Sequence, residues 1–224
     1  MSAAPALDIK DILTTEDAAL DKLRDVRREV HCHVDLRTQL EEIISEFGTK
    51  VAKQLSSENK AEVRRGTAQW MLGKSEEAIQ ILEPARVSKE RSFVLGVSYL
   101  EAGRPNDALT NLKEANEADS SDPLISTSYC EAKIRAGRYE EAETHVEKLL
   151  KKESAQGFYL KGLLADVQGF HDQATKGYEK ALEIEPGHAP SLFRLAYIMD
   201  SAGEDNRAME LSEQLRTLRP MPLN

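Results

Sequence analysis

Cysteine, aromatic residues, positive charge and long apolar runs are all in short supply in this chain, and each shortage excludes something. Two cysteines, Cys32 and Cys130, stand far apart in 224 residues. They make no disulfide framework, which fits a reducing compartment, and a cytoplasmic protein is expected. No apolar run approaches the ~20 residues that a membrane-spanning helix needs, so no direct membrane insertion is expected. The opening MSAAPALDIKDILTTEDAAL lacks the basic stretch and apolar core of a secretory leader. Lys and Arg number 30 against 39 Asp and Glu, for a net charge of −9. Nucleic acid and anionic membrane surfaces both select basic patches, so neither is an expected partner. There is no glycine loop to cradle phosphate and no zinc-ligand spacing, and the carboxylates are scattered. Neither catalysis, nor a cofactor, nor a metal is expected.

What is abundant is helix-forming. Ala, Glu, Leu, Lys and Arg dominate, charged residues make up 31% and aromatics 5%, a mix that favours helix over sheet. A repeat organises it. Glycines Gly73, Gly103, Gly137, Gly169 and Gly203 follow one another at spacings of 30, 34, 32 and 34 residues. Five positions after each stands an alanine: Ala78, Ala108, Ala142, Ala174 and Ala208. Seven positions before each stands a small residue: Gly66, Gly96, Cys130, Gly162 and Ala196. The glycine ends one helix with the positive φ it alone adopts freely. The small residue lets a second, antiparallel helix approach closely, with the alanine facing it across the hairpin. Cys130 occupies a small-residue slot and reads as a packing residue, not a nucleophile.

This spacing resembles the tetratricopeptide repeat family. The stretch AQGFYLKGLLADVQGFHDQATKGYEKALEIEPGH, residues 155–188, carries Gly162, Gly169, Ala174, Tyr178, Ala181 and Pro186 at signature positions. Residues 189–220 keep Leu195, Ala196, Gly203, Ala208 and Pro220, and residues 89–122 keep Leu95, Gly96, Tyr99, Gly103, Ala108 and Ala115. Units 59–88 and 123–154 are shorter, with Pro84 early in the first and Ser154 in place of the closing proline in the second. Asp122 reads as an N-cap with Pro123 at the first helical position. The resemblance implies an all-α, right-handed superhelical solenoid of five antiparallel helix hairpins spanning residues 59–220, followed by a tail over 221–224.

Ahead of the repeats, residues 1–14 read as a flexible terminus and residues 15–58 as a helical arm. Leu23, Val26, Val30, His33, Leu40, Ile44 and Phe47 follow a 3-4 heptad register, which predicts one helix from Thr15 to Phe47 with a seam for self-association or for capping a groove. Gly48 would break it, and a short helix over Thr49–Leu55 would follow. The segment is not an ordinary repeat, because Lys53 stands where Gly48 would require an alanine. Within the arm, REVHCHVDL gathers His31, Cys32, His33 and Asp35. On a helix, residues two apart point about 200° apart, so His31 and His33 cannot grip one ion. His31 and Asp35 share a face at i,i+4, and His33 reads as a polar position on the seam.

The resemblance further implies a concave face lined by the first helix of each hairpin. Its inward positions here are Val63, Thr67, Trp70, Phe93, Val97, Leu100, Thr127, Glu131, Ile134, Tyr159, Leu163, Asp166, Phe193, Tyr197 and Asp200. Most are apolar or aromatic, which suits an apolar or amphipathic helical segment of a partner protein, with Trp70 as its anchor. The family's carboxylate clamp needs Lys and Asn where this chain has Val63, Thr67, Phe93, Val97 and Thr127, so that use is excluded. The expected function is a non-enzymatic scaffold or adaptor that binds another protein or a peptide segment. The alternatives are a homo-oligomer joined through arm and groove, and a chaperone for secreted or assembly-bound apolar segments. Leu211, Leu215 and Leu218 are expected to be partly uncovered at the end of the last repeat, covered by another subunit or by further chain.

Overall fold

The computed structural model describes residues 8–15, 18–47 and 52–218. Among them are thirteen α-helices and no strand: α1 (Ile9–Thr14), α2 (Leu20–Cys32), α3 (Val34–Ser45), α4 (Glu58–Met71), α5 (Ser75–Leu82), α6 (Lys89–Glu101), α7 (Pro105–Ala118), α8 (Pro123–Arg135), α9 (Tyr139–Leu150), α10 (Ala155–Val167), α11 (His171–Ile184), α12 (Ala189–Ser201) and α13 (Asp205–Leu218). A 3-10 turn covers Ala52–Gln54. The architecture is all-α, a solenoid of helix hairpins. The helices gather into two compact units, one running to Ile125 and the other beginning at Ser126.

The hairpins share one local grammar. Each first helix opens on a polar cap: Ser57 accepts from the Lys60 N–H, Ser88 from Arg91, Asp122 from Leu124, Ser154 from Gly157 and His188 from Ser191. Each ends at a glycine with φ between 72° and 81°, and the next N–H reaches back five residues, as Lys74 does to the Gln69 carbonyl at 3.0 Å. The five alanines after these turns are buried. What meets the small residue most closely, however, is the side chain four positions beyond the alanine. A Cβ on Gly66 would lie 2.5 Å from Leu82 Cγ, and one on Gly162 would lie 2.8 Å from the Tyr178 ring. Glycine there sets how deeply the second helix seats.

In the first unit, α4–α5 and α6–α7 are hairpins and the arm packs on α4. Three expectations about the arm need correction. Residues 1–14 were expected to be flexible; residues 1–7 lie outside the described residues, but α1 is capped by Asp8 and buries Ile9 and Leu13 completely. The single helix expected from Thr15 to Phe47 is two, because His33 is extended, at φ −130° and ψ 115°. The break forfeits the three helical hydrogen bonds that the Val34, Asp35 and Leu36 N–H groups would make, at about 1 kcal/mol each. Turning the chain there buries Leu36, Leu40 and Ile43, at about 1.5–3 kcal/mol apiece, so burial outweighs helix continuity. Finally, the seam expected to join copies is packed inside its own chain: Leu23, Val26, Val30, Leu40 and Phe47 are buried, and His33 and Ile44 are half-buried. Gly48 and residues 49–51, the start of the short helix expected after it, lie outside the described residues, and the rest of that stretch holds the 3-10 turn Ala52–Gln54.

The second unit holds α9–α13 and most of α8. Cys130, Val146, Tyr159, Leu160, Leu163, Tyr178, Leu192 and Leu195 share one continuous core.

Candidate protein-interaction surface

With Thr127, Glu131, Asp166 and Asp200 set aside, the other eleven inward positions expected to line a concave groove separate sharply. Val63, Thr67, Trp70, Phe93, Leu100, Ile134, Tyr159 and Leu163 are buried, and Val97 is half-buried. Only Phe193 and Tyr197 are open, at 58% and 62% exposed. The reason is geometric. An inward position on one first helix borders the next first helix, so most of the row becomes packing.

Trp70 shows this most clearly. Its ring meets Phe93 edge-on at 6.4 Å. The guanidinium of Arg27, from α2, lies 4.6 Å from the ring centroid. Arg27 then continues to Glu101 at the end of α6, with Nη2 3.0 Å from Oε2, and the Ser75 hydroxyl donates to the same carboxylate at 2.6 Å. Trp70 is therefore a clamped core residue, not a free anchor. Beneath it runs a buried polar group that sequence patterning missed. Arg64 is fully buried, donates to the Thr15 carbonyl at 2.8 Å and lies 3.4 Å from Glu90. Glu90 accepts from the Thr67 hydroxyl at 3.0 Å and has Lys60 at 3.5 Å. Charged residues on a helix normally face water, so nothing in the sequence marked these two.

The His-Cys-His stretch divides between a helix end and a break. His31 lies beside the first turn, where a Cβ on Gly73 would meet its ring at 3.0 Å. His33 faces Glu29 at 3.5 Å. Among the described residues no group of three or more His, Cys, Asp or Glu could hold a metal. Cys130 is buried, and desolvation pushes its thiol up to about 12.

In the second unit the face of α10 shows how one hairpin receives the next. Gln156, Tyr159, Leu163 and Asp166 stand at i, i+3, i+7 and i+10, along one side of the helix. At the start of α12, His188 Nε2 lies 3.1 Å from Gln156 Oε1 and its ring lies 5.4 Å from that of Tyr159. Further along, Arg194 lies 3.7 Å from Asp166, which also accepts from the Tyr178 hydroxyl at 3.0 Å. Burial pushes the Tyr159 phenol up to about 12, with Glu131 adding to it, and pushes Tyr178 up further in the same direction, with Asp166 adding. Thirty-four residues later the same row reads Pro190, Phe193, Tyr197 and Asp200, all exposed. Leu211 is buried, Leu215 half-buried and Leu218 exposed, so the uncovered aromatic surface is on α12 more than on α13.

Comparison with known proteins accords with this geometry. A tetratricopeptide repeat family model matches residues 99–167. The solved structure of YrrB, described as a TPR protein with an unusual peptide-binding site, superposes with a TM-score of 0.56 at 20% identity, over 72% of this chain and 86% of that one. Residues 99–167 are tetratricopeptide repeat sequence. At that identity the likeness to YrrB speaks for the fold alone. Protein NPGR1 of Arabidopsis thaliana is 26% identical over 99% of this chain and 33% of its own length. WspC of Pseudomonas aeruginosa, a probable biofilm formation methyltransferase, is 38% identical over 81 residues, 35% of this chain and 19% of that protein. The chain thus spans a third or less of these curated relatives. Its repeat fold supports a protein–protein interaction scaffold, and among the described residues no helix is long and apolar enough to cross a membrane.

Proposed function

We propose that the protein acts by non-covalent recognition, as a scaffold that binds an apolar or amphipathic segment of a partner protein through the first helix of its last hairpin, α12. One observation carries this reading. Phe193 and Tyr197 are 58% and 62% exposed, while Tyr159 and Leu163, 34 residues earlier, are buried beneath the following hairpin. Large aromatic side chains at the centre of an interface supply most of its affinity.

The face replaces the broader groove expected from the repeats. The self-assembly reading loses ground, since the seam expected to join copies lies within the chain's own core. A peptide library selected against the full chain tests the proposal. Apolar or amphipathic segments should be enriched on the wild type and lost on Phe193→Ala and Tyr197→Ala. Enrichment that ignores both substitutions would refute this surface.

A further inference from the structure

We infer that the row Pro190–Phe193–Tyr197–Asp200, left open by the described residues, is a copy of the seat that α12 itself occupies on α10, and that its occupant is an amphipathic partner helix carrying a basic residue. This rests on the proposed function and specifies the partner's chemistry. In the filled seat, α12 runs in the same direction as α10. Its start engages Gln156 and Tyr159 through His188, and Arg194, six residues on, reaches Asp166. Leu192 and Leu195 join the core alongside these two polar contacts. The open seat repeats the spacing and the terminal acid, with Asp200 where Asp166 stands and Tyr197 where Leu163 stands. A helix that fits it lies along α12, sets an apolar stripe on Phe193 and Tyr197, and places Arg or Lys beside Asp200. The chain's net charge of −9 also favours a basic partner.

The filled seat supplies its own probe. A synthetic helix copying residues 186–203 carries His188, Leu192, Leu195 and Arg194 in the register that α10 accepts. A side-chain cross-link between its positions 193 and 197 holds it helical and removes its two rings, so it cannot receive a further copy. Titrated into the full chain, it should saturate with a dissociation constant below about 1 mM. Phe193→Ala and Tyr197→Ala in the protein should each weaken it by at least about tenfold. Asp200→Lys should weaken it about two- to fivefold, the scale of an exposed ion pair, and a peptide with Arg194→Glu should recover binding to that variant. Circular dichroism melts confirm that the variants remain folded.

No saturation, or binding indifferent to both aromatic substitutions, overturns the inference. If library peptides bind at Phe193 and Tyr197 while the α12 copy does not, the interaction surface stands and the helical, basic occupant falls. If light scattering shows a dimer that Phe193→Ala dissolves, the occupant is a second copy and the inference also falls.

Discussion

Single residues in this protein divide by whether a neighbour covers them, not by their chemistry. Tyr159 and Phe193 stand at equivalent repeat positions, yet one is core and the other surface. Tyr197→Ala and Phe193→Ala should therefore shift unfolding free energy by under about 1 kcal/mol, measured in urea, while abolishing recognition. Trp70→Ala should do the opposite. It removes a side chain clamped between Phe93 and Arg27 and should cost about 3–5 kcal/mol. Gly162 is a finer test. An added Cβ would lie 2.8 Å from the Tyr178 ring and 3.0 Å from the Ala174 carbonyl, so Gly162→Ala should destabilise by about 1–3 kcal/mol through overpacking.

Among the elements, α2 is the one whose role changed most between sequence and structure. Its heptad pattern was legible, because Leu23, Val26 and Val30 recur at helical spacing. What they pack against was not, because an apolar stripe reads the same whether its partner is another copy or α4. Burial in cis makes the arm integral: each of its buried aliphatic residues contributes about 1.5–3 kcal/mol. Leu23→Ala should lower stability by about 2–5 kcal/mol and leave solution mass unchanged by light scattering. A mass that falls on this substitution would restore the self-association seam. The repeat hairpins themselves were readable, since positive φ and close helix approach each demand glycine and so leave a periodic mark. The break at His33 left none, for no glycine or proline punctuates it and its cause lies in the burial of Leu36, Leu40 and Ile43.

Across the whole molecule, pH is the simplest probe, because two imidazoles of the second unit are held neutral. Burial pushes His145 down to about 4, with Lys133 and Lys148 adding to it, and its Nε2 lies 2.9 Å from the Ser126 hydroxyl. Burial also lowers His188, with Glu185 opposing. The amide oxygen of Gln156 accepts from His188 Nε2, which leaves Nδ1 to receive the Ser191 N–H. Protonation would cancel that helix cap. Unfolded histidines take up protons near 6.5 and these do not, so the unfolded state binds more protons as pH falls. Their contribution should be complete above about pH 6.5 and be lost from there towards about 4 for His145. Thermal melts between these values should show His145→Gln flattening the decline relative to wild type.

The sequence by itself determined the hairpin repeat, its turns and caps, and the acidic surface. These follow from local rules of backbone conformation and from charge, which the order of residues expresses directly. Only the tertiary structure decided that Trp70 is core, that the arm closes on its own chain, that Arg64 and Glu90 are buried together, and that Phe193 and Tyr197 remain open. Each of those depends on whether a helix distant in sequence covers the residue. Periodicity names a face, and only packing reveals what meets it.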